Sequence, residues 1–115
     1  MKFMKNALVA AAFATAALSA SAQEQFFPAL SYRVGPYAAG GTGFFGGVID
    51  YLSLLNAQGG INGVKMTWEE CETEYNATRG VECYERLKKS RGGATMVEPL
   101  STGIAYGLLD RVAQD

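Results

Sequence analysis

Three short apolar runs alternate along the chain with three segments of helical periodicity, and that alternation restricts the fold more than any other feature. The first run is Phe26 to Val34, with Pro28 near its start and Gly35-Pro36 at its end. A proline is tolerated at a strand's first positions, where no ladder hydrogen bond is needed. The second run, Val64 to Glu70, alternates Val64, Met66 and Trp68 with Lys65, Thr67 and Glu69. That period of two suits a strand with one face better covered than the other. The third run is Ala94 to Val97, closed by Pro99. From Phe44 to Gln58, the residues Phe45, Val48, Ile49, Leu52 and Leu55 share one helical face, and Gly59-Gly60 stops the helix. Asn76-Ala77-Thr78 starts a second helix, whose apolar stripe is Val81, Tyr84 and Leu87 with Cys83 beside them. Ser101 or Thr102 caps a third helix through Ala113, with Ile104, Leu108 and Leu109 facing inward. Tyr37 to Gly43, rich in Gly and Ala, reads as a loop. Ile61-Asn62-Gly63-Val64 carries a two-residue hairpin signature, but a helical stripe precedes it, so it is read as a short helix-to-strand connection. The order β-α-β-α-β-α with right-handed crossovers predicts an α/β fold, a three-layer βαβαβα unit on a short parallel sheet.

Ahead of this pattern lies a different kind of segment. Lys2 and Lys5 form a basic start, Ala7 to Leu18 is apolar or small apart from Thr15, and Ala20-Ser21-Ala22 is a small-x-small cleavage site. Residues 1–22 therefore read as a secretory signal peptide, which places residues 23–115 in an oxidising compartment, the periplasm. Gln23 rather than a cysteine follows the site, so no lipid anchor is expected there. Losing the two leader lysines takes the formal net charge from −1 to −3. With Lys and Arg scattered, no stripe follows a phosphate backbone, and nucleic acid is not an expected partner. The chain has no histidine. That removes the Ser-His-Asp and Cys-His triads and the commonest transition-metal ligand, and no enzymatic activity is expected.

The remaining signals have competing readings. Gly41-Thr42-Gly43-Phe44-Phe45-Gly46 matches the dinucleotide fingerprint, in which glycines let backbone approach a pyrophosphate at a helix N-terminus. The first glycine lies several residues past the strand, and a chain with 14 glycines makes chance matches easy. A flexible loop with close helix–sheet packing is preferred, and no cofactor is expected. Glu69, Glu70, Glu72 and Glu74 lack the spacing and turn glycine of a calcium loop and read as a solvated loop, with no metal. Cys71 and Cys83 are an even pair behind a leader, which predicts a disulfide. The other reading is two buried thiols, one at a strand end and one on a helix face, too far apart to join. Ser101-Thr102-Gly103 falls where the third run gives way to the third helix. Hydroxyls and free amides there can hold a carboxylate, or the serine can simply cap the helix. Tyr37 and Gly40, after the first run, would face the same crevice.

Gly35-Pro36-Tyr37-Ala38, Asn56-Ala57-Gln58-Gly59-Gly60-Ile61-Asn62-Gly63 and Ser101-Thr102-Gly103 together resemble the periplasmic solute-binding proteins of ABC transporters, leucine/isoleucine/valine-binding type. Trp68-Glu69-Glu70-Cys71-Glu72 and Val81 to Lys88 look like a branch of that family. The resemblance implies two α/β lobes closing on a small solute, with strand order 2-1-3 in this part of the first lobe. It implies that Ser101 and Thr102 hold the carboxylate of a branched-chain amino acid or a related small amino-acid or amide solute. Tyr37 and Gly40 would belong to the loop that shapes the pocket wall, and an ABC permease would be the partner. Members carry two lobes of ~100–200 residues each. Residues 23–115 are accordingly expected to be part of the first lobe, an amino-terminal fragment that binds solute poorly alone and associates with itself. The alternative is a small secreted α/β domain with a structural or protein-interaction role.

Overall fold

The computed structural model describes residues 24–115. The leader expected at residues 1–22 lies outside the described residues. Strand β1, Glu24–Ser31, pairs in parallel with β2, Lys65–Glu72, in continuous register from Glu24↔Lys65 to Ser31↔Glu72. Helix α1, Ala38–Ala57, connects them, and α2, Ala77–Leu87, and α3, Thr102–Val112, complete the α/β unit. The alternating side chains of β1 serve two layers. Phe26 and Leu30 are buried, and Leu30 joins Cys83, Tyr84, Ile104 and Leu108 in a core under α2 and α3. On the other face, Phe27 and Ala29 share an apolar groove with Phe45 and Ile49 of α1 and with Trp68 of β2.

Helix α1 begins at Ala38, so the expected loop over Tyr37 to Gly43 is instead its first turns. Gly-rich sequence has low helix propensity, but packing overrides it here. A Cβ on Gly41 would lie 2.0 Å from the carbonyl oxygen of Tyr32. Only glycine lets the helix approach the end of β1 this closely. The fingerprint at Gly41 to Gly46 consequently lies inside a helix, with no strand-to-helix turn to cradle a phosphate. At the other end, the Asn56 amide closes on Met66 of β2: its Nδ2 donates to the carbonyl at 2.6 Å and its Oδ1 accepts from the backbone N–H at 2.8 Å. The connection between them contains the tight turn that the hairpin signature describes. Asn62 and Gly63 both have positive φ (52° and 81°), and Ile61 and Val64 exchange backbone hydrogen bonds of 2.9 and 3.0 Å.

The third run contributes one bridge rather than a strand. Ala94 bridges Phe26 in parallel, and the Thr95 N–H donates to the Phe26 carbonyl at 2.9 Å. This places the run on the side of β1 away from β2, in keeping with the 2-1-3 order. The next β1 residue facing that edge is Pro28, which has no N–H to donate, so the ladder stops. Beyond it Met96 is exposed while Val97 packs against the core. Leu109, expected to face inward, is 60% exposed, and Ile104 and Leu108 alone anchor α3. Polar contacts reinforce the α2–α3 contact: Arg111 donates to Glu85 at 2.9 Å, and Lys88 to Asp115 at 2.8 Å. Among the described residues no helix is long and apolar enough to cross a membrane.

Gly40 and Gly41 make a contrasting pair. A Cβ on Gly40 meets nothing within 4 Å. Gly40→Ala should stabilise by up to ~1 kcal/mol through helix propensity. Gly41→Ala should destabilise by ~1–3 kcal/mol because backbone must move. Denaturation midpoints of the two variants check both signs. A second outcome concerns the α1 layer, where Phe44, Val48, Tyr51 and Leu54 are exposed beside a groove of ≈ 220 Å³ lined by Phe27, Trp68 and Met96. Such a surface favours association, so the chain is expected to elute as dimers or larger species. A monodisperse monomer by light scattering would contradict this.

Candidate functional site

Parallel strands deliver their following loops to one edge, and in open α/β sheets that carboxyl edge is where ligands are held. Here it receives three segments: Tyr32 to Tyr37 after β1, Thr73 to Asn76 after β2, and Leu100 to Thr102 after the third run.

Ser101 is the N-cap of α3. Its backbone is extended (φ −141°, ψ 118°), its side chain is buried, and its Oγ accepts from the Ile104 N–H at 3.3 Å. A serine hydroxyl has one proton and two lone pairs. Accepting a capping bond therefore leaves the O–H free to donate, so capping and carboxylate binding are compatible at this atom. Thr102 is exposed in the first turn and shares a surface groove with Ser101, Glu98, Leu100 and Tyr106. Tyr37 precedes α1 and is 56% exposed, and Gly40 is exposed one turn on. The structure thus brings Ser101 and Thr102 together and Tyr37 and Gly40 together, and the second pair does not line the groove of the first.

Between β1 and β2 the edge is tied by residues of the segment expected to be a solvated loop. Thr73 is fully buried, and both its N–H and its hydroxyl donate to the Ser31 carbonyl, at 2.7 and 2.9 Å. Its Oγ1 accepts in turn from the Tyr75 N–H at 3.2 Å. Glu72 accepts from the backbone N–H groups of Arg33 and Glu74, both at 2.7 Å. The Arg33 guanidinium grips both oxygens of Glu70 and also donates to the Thr42 carbonyl at 3.1 Å, fastening the first turns of α1 to the end of β2. The hydrogen bond to Glu70 raises the Arg33 pKa further, so the guanidinium stays charged. Glu74 pairs with Arg79. Three of the four carboxylates, Glu70, Glu72 and Glu74, are therefore taken up by N–H donors, and among the described residues no group of three His, Cys, Asp or Glu could hold a metal ion.

These carboxylates also shape the edge. Glu74 and Tyr75 both have positive φ, 52° and 62°, a costly conformation for side chains of this size. The result is an aromatic cluster: Phe45 meets Tyr32 edge-on at 5.1 Å, Tyr32 meets Tyr75 edge-on at 5.0 Å, and Tyr75 lies against Tyr37 at 4.2 Å. No periodicity marks Tyr32 or Tyr75. Each ring is placed by a turn and by contacts across more than thirty residues of chain, which local pattern does not encode.

Cys71 at the end of β2 and Cys83 on α2 are joined in a disulfide, with Cα atoms 5.8 Å apart and a sequence separation of 12. It fastens the helix to the strand next to Thr73.

Comparisons with known proteins agree with the fold. A family model described as periplasmic binding protein matches residues 24–115. Among solved structures, the chain is similar to one described as an ABC transporter permease from the Pseudomonas fluorescens group, at 46% identity and a TM-score of 0.73. The match covers 82% of this chain and 23% of that one, so the chain spans less than a quarter of that relative's length. Comparison with curated proteins gives no match.

Intact-mass measurement of exported material, alkylated with and without prior reduction, checks the disulfide. Cys71 and Cys83 should take up label only after reduction, and Cys71→Ser with Cys83→Ser should cost ~3 kcal/mol in the chain-entropy model for a loop of this size.

Proposed function

The chain belongs to the periplasmic binding protein family, and on that premise we propose that it is part of the first lobe of an extracytoplasmic solute-binding component of an ABC importer. Residues 23–115 form this part of the lobe, exported by the leader at residues 1–22 to the periplasm. The solute is a branched-chain amino acid or a related small amino acid or amide, and the partner is an ABC permease. The lobe captures rather than transforms: no catalytic residue, cofactor or metal is assigned to it, and neither nucleic acid nor a lipid anchor is invoked.

The observation that carries this reading is the geometry of Ser101. Its Oγ is held at the start of α3 by the Ile104 N–H, and its free O–H lies at the carboxyl edge of the sheet in a groove that Thr102 also lines. The first-turn amides and the positive end of the helix dipole favour an anion there. A solute carboxylate would exchange water for these donors. Tyr37 and Gly40, at the head of α1, would form a separate part of the pocket wall at the same edge of the sheet. Closure of a second lobe, which the family's architecture supplies, would exclude water and strengthen each polar contact.

Two substitutions separate binding from capping in a two-lobe protein carrying this lobe. Ser101→Ala should lose both the cap and the hydrogen bond to the solute, weakening binding by ~1–3 kcal/mol. Ser101→Asp keeps a capping oxygen but sets a negative charge against the carboxylate. It should hold stability near that of the parent while abolishing binding. Calorimetry beside thermal unfolding reads the two effects, and unchanged affinity in Ser101→Asp would reduce Ser101 to a cap.

A further inference from the structure

The turn between α1 and β2 carries a chemistry that solute binding does not use. Residues 24–115 hold three asparagines, Asn56, Asn62 and Asn76. Two have side chains committed to the fold. Asn56 is half-buried and closes on Met66 through both atoms of its amide, at 2.6 and 2.8 Å. Asn76 caps α2, its Oδ1 accepting from the Arg79 N–H at 3.0 Å. Asn62 is exposed at the tip of the turn, and its amide makes no hydrogen bond among the described residues. Asn56 and Asn76 are each followed by an alanine, whereas Asn62 is followed by Gly63.

The turn leaves the atoms needed for a reaction free. It is closed by the N–H groups of Ile61 and Val64, at 2.9 and 3.0 Å, and the Gly63 N–H donates to no acceptor among the described residues. Gly63 is exposed, and a Cβ built on it would meet nothing within 4 Å. With no side chain of its own, Gly63 does not obstruct an approach to its nitrogen. The side-chain carbonyl of Asn62 neighbours that nitrogen along the chain, and such proximity favours an intramolecular ring closure.

We propose that Asn62 is a site of spontaneous succinimide formation in the folded chain, independent of any solute. The Gly63 nitrogen, losing its proton to hydroxide, attacks Cγ of Asn62. The bond from that nitrogen to Cγ forms, the bond from Cγ to Nδ2 breaks, and Nδ2 takes a proton from water and leaves as ammonia. One water then opens the ring. Cleavage at Cγ gives aspartate, and cleavage at the main-chain carbonyl gives an isoaspartyl link that carries the backbone through Cβ and Cγ. Nothing is oxidised or reduced. Either product puts a negative charge on the turn. The isoaspartyl form also lengthens the path between Ile61 and Val64, whose paired hydrogen bonds fit a two-residue turn. The modification therefore opens the connection that hands α1 over to β2.

Peptide mapping by mass spectrometry of the full chain, held at mildly alkaline pH below its unfolding temperature, tests it. Asn62 should convert severalfold faster than Asn56 or Asn76, with isoaspartate in excess over aspartate. Gly63→Ala should slow the conversion severalfold. Asn62→Gln, which keeps an exposed amide, should leave this position unconverted over the same period. A parallel incubation in denaturant separates fold from sequence. Asn56 and Asn76 should gain when their hydrogen bonds are lost, while Asn62 should convert within severalfold of its rate in the folded chain. Conversion of Asn62 in the denatured chain alone would mean that the ordered turn protects it, and would overturn the proposal. Aspartate as the sole product, the mark of direct hydrolysis, would overturn it too, as would a rate unmoved in Gly63→Ala.

Discussion

Strand β1 is the element that both helical layers and both sheet neighbours share. Its pairing with β2 over eight residues fixes the sheet, its two faces carry the α1 layer and the α2–α3 layer, and its second edge takes Ala94. At its end, the Ser31 carbonyl holds Thr73 through two hydrogen bonds, which sets where the chain leaves β2. Leu30, fully buried, is the point at which strand and helices α2 and α3 meet. A parallel pair cannot be joined by a tight turn, so the intervening helix is obligatory. The carboxyl ends of both strands are therefore delivered to one edge together.

That edge is held by two kinds of bond. The disulfide between Cys71 and Cys83 fastens α2 to β2, and the Arg33 guanidinium fastens the head of α1 to Glu70. The first joins consecutive elements and the second joins residues 37 apart in the chain, and both lie beside the turn that presents Tyr75. The site is thus built on anchored segments rather than on a free loop, which keeps its rings and its N-cap in place. The exposed apolar strip of α1 is the counterpart of this arrangement. The helix packs on the sheet through Phe45 and leaves Phe44 and Tyr51 to solvent.

Legibility differed between kinds of residue. The caps were readable because capping is local: Asn76 and Ser101 each bond a backbone N–H three residues on. The apolar stripe of α2 was readable because its period is local too. The start of α1 was not, since Gly-rich sequence resembles a loop until the closeness of Gly41 to Tyr32 is seen. Pro28 is tolerated near the strand start, as a local rule allows, but its consequence for the opposite edge depends on which neighbour that edge meets. Leu109 satisfied a helical face on paper and faces solvent in the structure, because Ile104 and Leu108 already fill the space over Leu30. At the site, Ser101 and Thr102 were marked by their position before a helix, whereas Tyr75 and Arg33 carried no mark at all.

The sequence by itself determined the α/β class, the order of the elements, the capped starts of α2 and α3, and the cysteine pair that the fold joins. These follow from periodicity, from side chains that bond within one turn, and from the redox chemistry of an even pair. Only the tertiary structure decided that the third run ends after one bridge, that Glu70, Glu72 and Glu74 are spent on N–H donors, and that four aromatic rings meet at the carboxyl edge. Each of those outcomes rests on a distance between residues far apart in the chain. Such distances are set by the packing of β1 between its two layers, and no local pattern carries them.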